Sequence, residues 1–132
     1  MNRKASYYME RSAAIIAAII LLQTLFFKFT AHPDSVYIFT TIGGEPYTRI
    51  ASGIVELIIS FLLLFSRTSI YGALLGALIM LGAMGSHIFL LGIEVNGDNG
   101  TLFILAVAAF LCCCYIIYLK SNQLSKHFKS QR

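Results

Sequence analysis

Apolar residues run through this chain in four long blocks separated by short polar stretches. The blocks cover about Ser12 to Thr30, Tyr47 to Phe65, Ile70 to Ile93 and Thr101 to Leu119. Each is close to the ~20 residues that a helix needs to cross the hydrocarbon core of a bilayer. Ile, Leu, Ala, Phe and Gly dominate the whole circumference of each block, without the polar face that a soluble surface helix keeps. The pattern predicts an all-α fold, an integral membrane four-helix bundle forming one domain over residues 1–132, with 120–132 as a basic cytoplasmic tail. The first block follows basic residues, as a signal peptide does. However, Phe29-Thr30-Ala31 puts a bulky side chain where a cleavage site needs a small one, so the block is read as retained.

The connections differ in character. Arg67-Thr68-Ser69 is a tight turn, which makes the second and third helices a hairpin. Asn96-Gly97-Asp98-Asn99-Gly100 is rich in residues that tolerate positive φ. The segment Ala31 to Pro46 is longer and partly apolar, as in Val36-Tyr37-Ile38-Phe39, and is expected to form a short interfacial helix or a re-entrant piece over the bundle.

Composition sharpens the membrane reading. Of 132 residues, 58% are hydrophobic and 12% charged, with a mean hydropathy of +0.77. A soluble domain carries about 25% charged residues, and so small a globule has too much surface to hide this many apolar groups. The net charge of +4 does not imply nucleic acid, because the cations sit at the chain ends and not on one amphipathic face. Arg3, Lys4, Arg11, Arg67, Lys120, Lys126, Lys129 and Arg132 fall on one side of the predicted topology; only Lys28 and Arg49 approach the other. The positive-inside rule then places both termini in the cytoplasm of a multi-pass plasma (inner) membrane protein. Tyr37 and Tyr47 on the outer side, and Tyr115 and Tyr118 on the inner, suit interfacial belts. Cys112, Cys113 and Cys114 are consecutive. They point about 100° apart on a helix, so no shared metal site is expected, and they read as small apolar residues.

Four ionisable residues lie where lipid makes charge costly, at about 2.5–3.5 kcal/mol each on insertion scales. They are Lys28, Arg49, Glu56 and His87. Glu56 is nine residues into the second helix, roughly 14 Å deep at 1.5 Å per residue. A carboxylate there must be neutral, paired or facing water. Lys28 can snorkel outward or reach Glu56, and Arg49 shares a helix face with Glu56. Small residues line the faces that carry these groups. Ala14, Ala17, Leu21, Thr24 and Lys28 share a face of the first helix, and Ser52, Glu56 and Ser60 one of the second. Gly72, Gly76, Ala83 and His87 share one of the third. Gly53 and the Gly72-x-x-x-Gly76 pair are the expected close-packing positions. Each polar residue also has a purely structural reading: interfacial anchoring for Lys28 and Arg49, a packed neutral imidazole for His87, a bundle-holding ion pair for Glu56.

The order of several short motifs is similar to that of the DoxX family of four-helix membrane proteins. These are Phe26-Phe27-Lys28-Phe29, then Gly43-Gly44-Glu45-Pro46, then Ala51-x-Gly53-x-x-Glu56, and a Gly/Ala/Met-rich third helix ending near His87. The resemblance covers roughly residues 13 to 119. It implies Lys28, Glu56 and His87 as matching positions and a tie to membrane redox or thiol-stress systems, the family name coming from a subunit of a thiosulfate:quinone oxidoreductase. It also implies, as an alternative, a role in assembling other membrane proteins. The cysteine pair of the thiol-oxidising relatives is lacking, so no dithiol chemistry is expected. The leading expectation is a redox-associated subunit with an outward polar pocket that takes a quinone head group or a small oxyanion. Its partners would be the lipid bilayer and a membrane or redox protein. A scaffold comes second. A small transporter comes third, because four helices without an inverted repeat leave little room for alternating access unless the chain forms a homo-oligomer.

Overall fold

Helix α1 (Arg3–Phe29) begins well before the first apolar block. The reason is local: the Asn2 side chain accepts hydrogen bonds from the amides of Lys4 (2.7 Å) and Ala5 (3.4 Å), so the helix has its N-cap there. Hydropathy marks the part of a helix that meets lipid, not the point where its hydrogen bonds begin. Helix α2 (Pro33–Ile42) occupies the segment expected to lie over the bundle. Its N-cap is His32, whose Nδ1 accepts from the Asp34 amide at 3.2 Å, with Pro33 in the first turn. It stops at Gly43, whose φ of 113° a side chain would strain.

Helix α3 (Tyr47–Leu64) and helix α4 (Ser69–Ser86) form the expected hairpin. The third block was expected to run as one helix to Ile93. Instead α4 passes at His87 into a π-helical turn, His87–Leu91, that ends at Gly92 with φ 83°. Helix α5 (Thr101–Ser130) includes most of the segment expected as a separate tail, since nothing between Lys120 and Ser130 breaks a helix. The computed structural model describes residues 2–131, apart from the side chains of Leu124, His127 and Phe128; the tail cation Arg132 lies outside the described residues.

Four segments are long and apolar enough to cross a membrane: Arg3–Phe29, Tyr47–Leu64, Ser69–Leu91 and Thr101–Gln123. They close into a ring in which α1 and α4 each pack on α3 and α5. The core is built of small residues. Ala13, Ala14, Ala17 and Ala18 of α1 meet Ile59 and Leu63 of α3, Ala73 and Met80 of α4, and Ala106, Ala109, Cys113 and Ile116 of α5. Large side chains such as Ile19, Phe61, Leu78 and Ile104 face outward, where lipid would solvate them. α2 rests on α1, α3 and the π turn, and so covers the end of the bundle that carries the long loops.

The opposite end, where α1 begins and α5 ends, is tied by charge. Glu10 is 1% exposed. Its carboxylate accepts from Arg11 Nε (2.7 Å) and Nη2 (2.6 Å) and from Ser69 Oγ (2.6 Å). Arg11 also donates to the Leu64 carbonyl (2.9 Å), and Lys120 Nζ to the Ser66 carbonyl (2.9 Å). A helix leaves its last carbonyls without partners, and cations there also oppose its dipole. The first contact completes the end of α3 and the second holds the turn that follows it, so one cluster joins all four spans.

Candidate functional site

The loop end of the bundle holds a cavity of about 590 Å³. Its lining is mostly apolar, from Ile20, Phe27, Ile38, Phe39, Ile79 and Leu105 among others, with Lys28 and Glu56 in the wall. Gly82 lines it, and a Cβ added there would meet nothing within 4 Å. Deeper in the same helix, Gly72 and Gly76 are in tight contact with α3 and α5. The hairpin is therefore tightly packed near its turn.

Glu56 projects inward from the middle of α3 and is 4% exposed. It forms an ion pair with Lys28 Nζ. Thr24 Oγ1 lies 3.1 Å from Glu56 Oε2 and 2.8 Å from the Leu21 carbonyl, so its one proton is shared between two acceptors. Thr24 and Lys28 stand one turn apart on the same face of α1, which is why both reach one carboxylate. The Lys28 ammonium also sits 5.8 Å from the centre of the Phe39 ring on α2, within cation–π range. α2 therefore contributes to the site as well as covering it.

Arg49 is buried too, but it does not join the pair. Its Nε meets both carboxylate oxygens of Glu45 (2.9 and 3.1 Å), and its Nη1 donates to the Lys28 carbonyl. It serves the last turn of α1 as Arg11 serves that of α3. His87 is 5% exposed and lies outside the cavity lining. Its Nδ1 donates to the Gly92 carbonyl at 3.0 Å, and its ring meets Phe103 edge-on, with centroids 5.7 Å apart. The imidazole fastens the π turn to α5. Of the four ionisable residues singled out in the sequence, the structure brings together Lys28 and Glu56 and assigns Arg49 and His87 to other contacts.

Several lining groups carried no signal in the sequence. Ser35 of α2 is buried, and its hydroxyl has no hydrogen-bond partner. Asp34 and Asp98 also line the cavity. Asp34 accepts from Asn96 Nδ2 at 2.9 Å. Asp98 accepts three backbone amides, from Val95 (3.0 Å), Gly100 (2.8 Å) and Leu102 (3.1 Å). Partial burial pushes the Asp98 carboxyl up, but these amide bonds outweigh it and hold the group below the usual aspartate range. Glu10 did leave a trace. The face Lys28, Thr24, Leu21, Ala17, Ala14, followed one turn further back, arrives at residue 10. Compared with known families, with curated proteins and with solved structures, the chain finds no match in any of the three.

Proposed function

We propose that this chain is a DoxX-like integral membrane protein, a quinone-associated subunit of a membrane redox system whose loop-end cavity takes the quinone head group. One observation carries the reading: a largely apolar cavity with the Lys28–Glu56 pair in its wall and an unmet Ser35 hydroxyl on its lining. Its volume falls within the range of small-molecule sites, about 300–1,000 Å³. The groups fit a quinone. Lys28 and Ser35 are donors for carbonyl oxygens, the apolar walls accept a ring and the start of a tail, and Glu56 keeps the ammonium in place. A small oxyanion suits the site less well, because Glu56 already meets the charge of Lys28, and Asp34 and Asp98 add negative charge.

A bound quinone would carry the electrons. The chain has no haem, flavin, iron–sulfur or nucleotide motif, so a partner subunit would deliver them. The chain's own residues bind and orient the head group, with the Lys28 ammonium as a donor beside it and the Glu56 carboxylate holding that ammonium in place. The DoxX assignment rests on the residue order from Phe26 to His87, and the cytoplasmic placement of both termini rests on the grouping of cations.

The test is direct. Lipid-soluble material extracted from the purified protein should contain about one quinone per chain, and Lys28→Met should lower that severalfold. No quinone in the extract, together with no rise in melting temperature on adding ubiquinone or menaquinone, sinks the proposal. A second reading, as a scaffold or assembly factor, draws on the fact that Lys28, Glu56 and Arg49 each already have a partner within the chain. An unchanged partner complex with unchanged activity in Glu56→Gln would favour it.

A further inference from the structure

Outside the cavity, a groove of about 470 Å³ runs along the outer surface between α1 and α5. Tyr8, Ser12 and Ile16 form one wall, and Leu111, Cys112 and Tyr115 the other. Tyr8, Ile16 and Leu111 are strongly exposed, so the groove opens to the surroundings of the bundle and not into its core.

Both walls continue past the groove toward the chain ends. α1 has 27 residues and α5 has 30, about 40 and 45 Å at 1.5 Å per residue, against ~30 Å of hydrocarbon. The extensions stay side by side, since Gln123 Nε2 donates to Ser6 Oγ at 3.2 Å. On α1, Lys4 lies one turn before Tyr8 on the groove's stripe. On α5, Asn122, Lys126 and Lys129 follow Leu111 and Tyr115 at helical spacing. No carboxylate among the described residues pairs with Lys4, Lys126 or Lys129, and Glu10, the one acid on either extension, is buried against Arg11. On the helical stripes that form its walls, the apolar slot is thus followed toward the chain ends by Lys4, Lys126 and Lys129, none paired with a carboxylate among the described residues.

We infer that this groove is a binding site for one anionic phospholipid. Its acyl chain lies between Tyr8–Ser12–Ile16 and Leu111–Cys112–Tyr115, and its phosphate lies among Lys4, Lys126 and Lys129. Charge decides the occupant. A second copy of the chain would bring two cationic extensions together, and a zwitterionic lipid would leave the cations unmatched.

Native mass spectrometry of the detergent-purified full chain, titrated with phosphatidylglycerol or phosphatidylcholine, tests this. One phosphatidylglycerol should be retained at least ~10-fold more strongly than phosphatidylcholine. The exposed triple variant Lys4→Gln/Lys126→Gln/Lys129→Gln should erase that preference. Cys112→Phe, which fills the slot, should lower retention of both lipids. Glycerol 3-phosphate in large excess should not displace the lipid. Equal retention of the two lipids, a triple variant that keeps the preference, displacement by glycerol 3-phosphate, or a dimer abolished by Cys112→Phe would each overturn the proposal.

Discussion

Glu10 and Glu56 are both buried carboxylates paired with a cation, but neutralising them should not cost the same. Glu10→Gln strands Arg11 inside a cluster that also involves Ser69 and the end of α3. Removing one partner of a buried pair costs about 3–5 kcal/mol, so a large fall in melting temperature is expected. Glu56→Gln leaves Lys28 near the end of α1, where its stem can carry the ammonium outward. A loss of about 1 kcal/mol or less is expected, and thermal unfolding of the two variants in the same detergent compares them. Asp98 sets a pH dependence. Its folded-state carboxyl lies below its unfolded value, so the stability it contributes is present above about pH 4 and is lost as the pH falls through the lower folded value. Protection factors of the Gly100 and Leu102 amides, referred to intrinsic exchange at each pH, should therefore fall in that acid window, and in Asp98→Asn they should be low at neutral pH as well. Lys28 and Glu56 were legible because charge inside an apolar block stands out. Glu10 left only the register of the α1 face as a trace, because it sits among Arg3, Lys4 and Arg11 and reads as part of a solvated end. Ser35 was invisible, since a hydroxyl without a partner is a property of packing and not of residue type.

Among the elements, α4 has the most varied set of glycines. At Gly72 an added Cβ would lie 3.0 Å from the Leu63 backbone nitrogen, which cannot move aside. Gly72→Ala should cost about 1–3 kcal/mol by pushing α4 off α3. At Gly76 the obstacle is Cys113 Sγ, 2.8 Å away, so Cys113→Ala should recover most of what Gly76→Ala loses. A double-mutant cycle in urea would measure that coupling. Gly85→Ala meets nothing and should be neutral or stabilise the helix by up to about 1 kcal/mol. At Gly53 the contact is the ring of Phe29, which is half exposed and can swing away. The four apolar blocks and the hairpin were readable from hydropathy, and small residues at i, i+4 spacing located the tight part of the seam. The π turn at His87–Leu91 was not readable, because Ile88, Phe89, Leu90 and Leu91 continue the apolar run through the change in winding.

At the scale of the whole molecule, the start of α1, the end of α5 and the 64–69 turn share one end, and α2 with the 92–100 loop shares the other. The cation bias predicts which end meets the cytoplasm. In a chain whose native cysteines are replaced by alanine, an impermeant maleimide applied to intact cells should label Asn99→Cys and leave Ser121→Cys untouched. The reverse pattern would invert the orientation.

The ionic ties at the two ends also say something about time. Glu10 finds Ser69 59 residues later in the chain, and Lys28 finds Glu56 28 residues later. α1 leaves the ribosome before α3 and α4, so the Ser69 and Glu56 side chains that complete it do not then exist. Its finished state is reached only after the hairpin has been made and docked. A span made before its partners is thus completed only by them: until α3 and α4 arrive, Glu10 has Arg11 alone beside it, and the Lys28 stem carries its ammonium toward the interface.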